Sequence, residues 1–241
     1  MKNILKKYPI IFNFLRRVYK IVYRNILKNK SIYFLFPSVK PISDIYGFDR
    51  GKPLDRCYIE KFLEENSNDI LGDCLELLND EYTKRYGGSR VTKSVILDIE
   101  KENQKATLIS DLRNLAGVAD NSFDCIILTQ VLQFIDDLDA SILECYRVLK
   151  PGGVLLATLP SISRIDCTSG EVGDYWRFTT ASARFLFEKK FKKENIVVDS
   201  KGNAGAGIYF YAGMSEEDTP KKFFQANDRN FPLIVTVKAI K

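Results

Sequence analysis

Apolar residues in the second half of the first hundred positions, and onward, fall into short, nearly continuous runs at 74–78, 95–97, 106–109, 123–128 and 154–159. Runs of that length without polar alternation predict strands buried on both faces, as in a parallel sheet covered by helices. Segments of helical period lie between or after them. Residues 55–66 place Tyr58, Ile59, Phe62 and Leu63 on one face, and 140–149 and 179–191 read as two further helices. Two more strands are expected at 196–199 and 233–239, which brings the count to seven. No internal repeat or low-complexity tract interrupts the order. The pattern predicts an α/β protein, not a helical bundle or a sandwich of antiparallel strands.

The first forty residues behave differently. They hold ten Lys or Arg and no acid, which leaves −5 for residues 41–241 of a chain whose net charge is +5. Ile11, Phe12, Leu15, Val18, Tyr19, Val22, Tyr23, Ile26 and Leu27 recur at threes and fours, with Pro9 suited to a first helical turn. Arg16, Lys20, Arg24 and Lys28 form the opposite row. The segment thus predicts a basic amphipathic helical arm, residues 1–46, followed by a folded domain at 47–241. Pro37, Pro41 and the glycine- and proline-containing stretch at 47–53 mark the junction. The arm admits two readings: peripheral contact with an anionic membrane, or a solvated helix packed on its own domain. Its longest uncharged stretch, 31–39, is far below the ~20 apolar residues needed to span a bilayer. The mildly acidic body argues against nucleic acid as a partner.

Composition then narrows the chemistry. The chain has no histidine, which excludes Ser-His-Asp and Cys-His catalysis and removes the commonest transition-metal ligand. Cys57, Cys74, Cys125, Cys145 and Cys167 lack C-x-x-C spacing. Neither a zinc site nor a disulfide framework is expected, no metal is assigned, and a reducing, cytoplasmic setting fits, with the arm at the inner membrane surface as the one peripheral feature.

In open α/β sheets ligands bind beyond the carboxyl ends of the strands. The first strand ends in Glu76-Leu-Leu-Asn-Asp80, and the second ends at Asp98, 22 residues after Glu76. An acid at that distance is where Rossmann-type sites grip ribose hydroxyls, because one carboxylate accepts both hydrogen bonds. The third strand ends in Ser110-Asp111-Leu112 and the fourth in Thr129-Gln130. Taken singly, each acid could equally be a turn or helix-cap residue. A G-x-G-x-x-G fingerprint is absent, so a nicotinamide site is not expected.

The stretch Asn121-Ser-Phe-Asp124, then Leu132-Gln133, then Glu144-Cys-Tyr-Arg147-Val-Leu-Lys150-Pro-Gly-Gly153 before an apolar strand resembles class I S-adenosylmethionine-dependent methyltransferases. Gly47–Gly51, Tyr82-Thr83, Gly87-Gly88 and Gly173-Asp-Tyr-Trp-Arg-Phe-Thr179 are similar to a bacterial subgroup associated with glycan and polysaccharide modification. The resemblance implies a Rossmann-like three-layer sandwich whose seven-stranded, mostly parallel sheet has an antiparallel last strand. It implies S-adenosyl-L-methionine as cofactor and a small-molecule or glycan acceptor, methylated on oxygen. By the same resemblance Glu76, Leu78 and Asn79 line the methionine end of the cofactor, Asp98 the ribose, Asp111 and Leu112 the adenine, and Thr129 and Gln130 the methionine portion again. Arg56 and Tyr58 are further candidates, to cover it from the preceding helix.

Leu78 departs from the pattern, since glycine is usual there. A leucine at positive φ is strained, and Asn79, which tolerates the left-handed region, is expected to take over the turn. The acceptor is expected under the segment 160–178, where Asp174 or Tyr175 would serve as base. Trp176 and Phe178 read either as acceptor contacts or as anchors to the core. The glycine- and aromatic-rich stretch at 201–231 reads as a mobile lid or a loosened connection. A cofactor-less relative acting as a binding or scaffolding module is the alternative from a different class.

Overall fold

The computed structural model describes residues 39–166 and 173–241; the predicted helix of the arm lies outside the described residues. Residues 42–46, counted with the arm by sequence, already hold to the body. The N–H groups of Ile42 and Ser43 both donate to the Ala212 carbonyl, and Tyr46 meets the Phe210 ring at 6.2 Å between centroids.

Seven strands form one sheet: β1 (Gly72–Leu77), β2 (Val91–Asp98), β3 (Leu108–Ile109), β4 (Phe123–Thr129), β5 (Leu149–Pro160), β6 (Ile196–Lys201) and β7 (Ile234–Ile240). Their order is β3-β2-β1-β4-β5-β7-β6. All pairs are parallel except those of β7, which runs antiparallel to both of its neighbours. The helices are α1 (Leu54–Glu65), α2 (Leu138–Val148), α3 (Thr180–Phe187) and α4 (Ala204–Tyr211).

The period of two along each strand explains the uninterrupted apolar runs. Ile126 and Leu128 of β4 and Leu155, Ala157 and Leu159 of β5 face one core with α2 and α3. Cys125 and Ile127, and Val154 and Leu156, face the other with α1 and α4. Both faces are covered, so no strand needs polar alternation. The four inward residues expected of α1 are all buried.

Three elements differ from expectation. β3 shrinks to two residues because the Thr107 hydroxyl, not a ladder carbonyl, accepts the Ile96 N–H at 2.9 Å. α3 stops at Phe187, within a predicted 179–191, as the chain turns through residues 188–190; Thr179 caps its start by accepting the Ser182 N–H. The stretch at 201–231 is not loose at its beginning. Asn203 accepts the Ala206 N–H and starts α4, whose Ala206, Tyr209 and Phe210 are buried.

The family-like motif has a structural reading. Asp124 accepts the Asp73 N–H at 2.8 Å and pairs with Lys150 at 2.6 Å, joining β1, β4 and β5. Gly72 enters β1 at φ 65°, and a Cβ there would collide with the Asp124 carboxylate, so only glycine fits.

Candidate active site

Strand order reverses between β1 and β4, and the crevice beyond their carboxyl ends is where this fold binds ligands. Two non-glycine residues take left-handed backbone here, Leu78 at φ 68° just past β1 and Gln130 at φ 55° just past β4. Such strain costs of order 1–2 kcal/mol and gathers at functional sites. Contrary to the expectation that Asn79 would make the turn, Leu78 makes it. Asn79 instead accepts the Glu81 N–H through its side chain, an Asx turn that needs no positive φ. Leu78 is held from both sides: its N–H donates to Leu97 and its carbonyl accepts from the Asn103 amide at 2.8 Å. Its side chain stays exposed at the crevice and does not fill it.

Two adjoining cavities open at this edge. A first, of about 360 Å³, is lined by Glu76, Leu78, Asn79 and Thr129 from the strand ends, by Lys52 from the approach to α1 and by Arg56 from its first turn. The second, of about 260 Å³, has Gln130, Gln133, Asp55, Asp166, Tyr46 and Phe210 in its wall. Phe48, Arg56, Leu78 and Thr129 belong to both and form the partition between them.

Glu76 is buried, and its two oxygens accept the Tyr82 and Thr83 N–H groups at 3.2 and 2.7 Å. Burial nevertheless dominates and pushes its carboxyl up to about 7, against the pull of those hydrogen bonds. Arg56 donates to the Tyr82 hydroxyl at 2.8 Å and keeps its charge. A buried acid and a guanidinium in one cavity match the ammonium and carboxylate of a free amino acid. In the second cavity the Gln130 amide nitrogen and the Gln133 amide oxygen are buried without partners. Both atoms lie behind the cavity surface, so a ligand's polar groups would meet them only after the Gln130 and Gln133 side chains turn toward it.

Asp98 is buried at the end of β2; its carboxylate accepts the Glu100 N–H at 2.9 Å and the Asn103 amide at 2.6 Å. Asn103 therefore bridges the β1 and β2 ends, a role that sequence spacing did not reveal. Asp111 lies further along the same edge and forms a chelate with Arg113, which also pairs with Asp136; the guanidinium beside it holds its carboxyl below the usual range. Leu112 is buried beneath it. The structure thus brings Glu76, Leu78, Asn79, Thr129 and Gln130 around two joined cavities, while Asp98, Asp111 and Leu112 follow along the β2 and β3 ends.

Asp174 and Tyr175 line neither cavity. Asp174 is enclosed and bound to the Arg177 guanidinium and the Asp166 N–H, and although burial opposes it, the arginine holds the carboxyl down. Tyr175 is half exposed, with its N–H on the Gln133 carbonyl. Trp176 donates to the Ile135 carbonyl at 2.8 Å and Phe178 is buried, so both anchor the segment. Asp55 and Asp166 are the carboxylates that do reach the second cavity, and neither was singled out as a base by sequence.

Similarity to known proteins agrees with this geometry. A family model for a methyltransferase domain matches residues 72–157, from the start of β1 into β5. Over nearly the whole described body the chain superposes on a methyltransferase from Archaeoglobus fulgidus that is dependent on S-adenosylmethionine, at TM-score 0.54 and 14% identity, covering 87% of this chain and 100% of that one. The fold is that of the S-adenosylmethionine-dependent methyltransferases. In sequence, 99 residues are 31% identical to malonyl-(acyl-carrier protein) O-methyltransferase of Serratia marcescens, covering 39% of this chain and 37% of that protein. A stretch of 38 residues is 50% identical to the ubiquinone/menaquinone biosynthesis C-methyltransferase of Haemophilus ducreyi, covering 16% of this chain and 15% of that protein. The chain thus spans well under two thirds of these relatives. The family segment contains the methyltransferase-fold strand ends bearing Glu76, Asp98, Asp111, Thr129 and Gln130, and stops short of Asp174. Among the described residues no helix is long and apolar enough to cross a membrane.

Proposed function

We propose that the protein is an S-adenosylmethionine-dependent methyltransferase acting on a hydroxyl of a small molecule or glycan. The observation that carries this is the pair of adjoining cavities at the β1/β4 switch point, one holding buried Glu76 with Arg56, the other walled in part by the Gln130 and Gln133 side chains. In this reading the first cavity takes the methionine part of the cofactor, with Glu76 toward the ammonium and Arg56 toward the carboxylate. Asp98 takes the ribose, and Asp111 with Leu112 the adenine. The bound cofactor supplies a methyl group on a sulfonium that is already a good leaving group. The chain's task is then to position the acceptor oxygen across the Leu78–Thr129 partition, which is catalysis by proximity. Gln130 and Gln133 would orient the acceptor by donating and accepting hydrogen bonds. Deprotonation falls to Asp55, whose carboxyl burial raises above its ordinary range. This replaces Asp174, whose arginine partner makes it a poor base. Asp55→Asn should keep cofactor binding and lose turnover on any hydroxyl acceptor; unchanged turnover would remove Asp55 from the chemistry.

Calorimetry with S-adenosylmethionine between pH 6 and 8 tests the whole reading. A cation bound beside Glu76 draws its proton off, so affinity should rise with pH up to about 7 and level above it, by at most roughly tenfold per unit. Glu76→Gln should flatten that profile. A flat wild-type profile would dissociate Glu76 from the ligand. Absence of saturable heat would favour the second reading, a cofactor-less binding module, in which the Asn103 amide permanently occupies Asp98.

A further inference from the structure

Beyond the second cavity lies a third and larger space of about 860 Å³, an open groove walled chiefly by apolar groups. It shares Tyr46, Ile162 and Phe210 with the second cavity, so the two adjoin across those side chains. One wall is α4, Ala-Gly-Ala-Gly-Ile-Tyr-Phe-Tyr, which carries no charged side chain on any face. A helix apolar all round is normally buried all round. Here Ala206, Tyr209 and Phe210 are buried against the core, yet Ile208 and Tyr211 remain 48% and 60% exposed along the groove, opposite Phe231 at 58%. The floor is kept low at Gly207, where an added Cβ would touch only the Ile162 side chain, at 3.8 Å. Exposed apolar side chains gathered at the mouth of a site, rather than scattered singly, mark a binding surface.

We infer that the acceptor carries a long hydrocarbon chain, which lies in the α4 groove while its polar head enters the Gln130/Gln133 cavity. The inference rests on that cavity being the acceptor site. Its physical basis is division of labour: the small inner cavity has the Gln130 and Gln133 amide side chains in its wall for a polar head, and the adjoining groove offers mainly apolar area, with Lys40, Arg164, Asn203 and Asn230 among the polar members of its lining. Burial of each methylene is favourable, and a free sugar or small polar acceptor would leave the groove in water. Val39 stands at the groove's lip, so residues 1–38 are the competing occupant.

Fluorescence titration of the full chain with dansyl-labelled undecanoic acid is the test. Wild type should bind it saturably. Gly207→Leu, which raises the floor at a helical position without positive φ, should weaken binding about tenfold, the loss of roughly two buried methylenes. Tyr211→Asp, at an exposed position, should act alike, and melting temperatures close to wild type certify both as folded. Equal affinity in all three proteins overturns the inference. So does absence of a saturable site in wild type, the result expected if residues 1–38 fill the groove. Calorimetry of the wild type with S-adenosylhomocysteine keeps the two levels apart: probe binding without that heat would retain a lipid-type groove and remove the methyltransferase reading beneath it.

Discussion

Replacing Asp98 with alanine should lower affinity for S-adenosylhomocysteine roughly 100-fold while leaving the fold intact. The carboxylate is buried at the end of β2 and is the group along that edge able to accept two hydroxyl hydrogens at once. Hydrogen bonds to a charged acceptor contribute about 1.5–3 kcal/mol each, and water entering the alanine site recovers part of that, which leaves about 3 kcal/mol. One oxygen already accepts the Glu100 N–H and can keep doing so. The other accepts the Asn103 amide, which must yield or share when a ribose arrives. Isothermal calorimetry gives the answer directly. Undiminished affinity, with an unchanged melting temperature, would remove Asp98 from the ribose and with it the expectation drawn from its 22-residue spacing.

The second large effect concerns stability. Arg147, the arginine of the Arg-Val-Leu-Lys-Pro-Gly-Gly run, lies at the end of α2 and ties the β3–β4 connection to that helix. It donates to the Leu115 and Val118 carbonyls and pairs with Glu144 and Asp120, at 2.7 to 3.1 Å. Glu144 completes the clasp by accepting the Leu115 N–H at 2.7 Å. Arg147→Ala should cost about 2–3 kcal/mol, since two backbone carbonyls and two carboxylates lose a shared donor in a partly buried place. For a chain of this size that is a fall of roughly 5–10 °C in melting temperature. Arg147→Lys should recover little, because a single ammonium cannot serve carbonyls and carboxylates on several sides as the guanidinium fork does. Calorimetric melting of the three proteins decides it; a melting temperature within a degree or two of wild type for the alanine variant would reduce the clasp to a solvated surface pair.

These residues also show what can be read from a sequence of this kind. Burial on both faces leaves an unmistakable imprint, so Cys125 through Leu128 and Val154 through Leu159 reveal themselves as strands without help. Strand ends followed by acids locate the edge of the sheet where Glu76, Asp98 and Asp111 stand. Side-chain engagement is another matter, because it depends on partners distant in the chain. Asp174 looks like an available base until Arg177 is seen folded onto it. Asn103 is an ordinary loop amide until the β1 and β2 ends are brought to either side of it. The left-handed turn at Leu78 is opaque for a further reason: intrinsic preference assigns it to Asn79, and the hydrogen bonds from Leu78 to Leu97 and from Asn103 override that preference. α4 is obscured by its glycines, which lower helix propensity, while its apolar surface has two neighbours to satisfy, the core and the groove.

The placement of β7 has a kinetic consequence. β6 reaches the sheet only through β7, which is inserted between it and β5 although it follows both in sequence. Until residues 234–240 arrive, the long β5 offers a bare row of amides and carbonyls beside an apolar surface, and β6 has nothing to pair with. Closing that gap requires contacts far apart along the chain, which makes it a late and slow event in folding. Molecules caught before closure would carry an adhesive edge open to a neighbour's strand. Aggregation of this protein on heating or on rapid dilution from denaturant should therefore begin at β5.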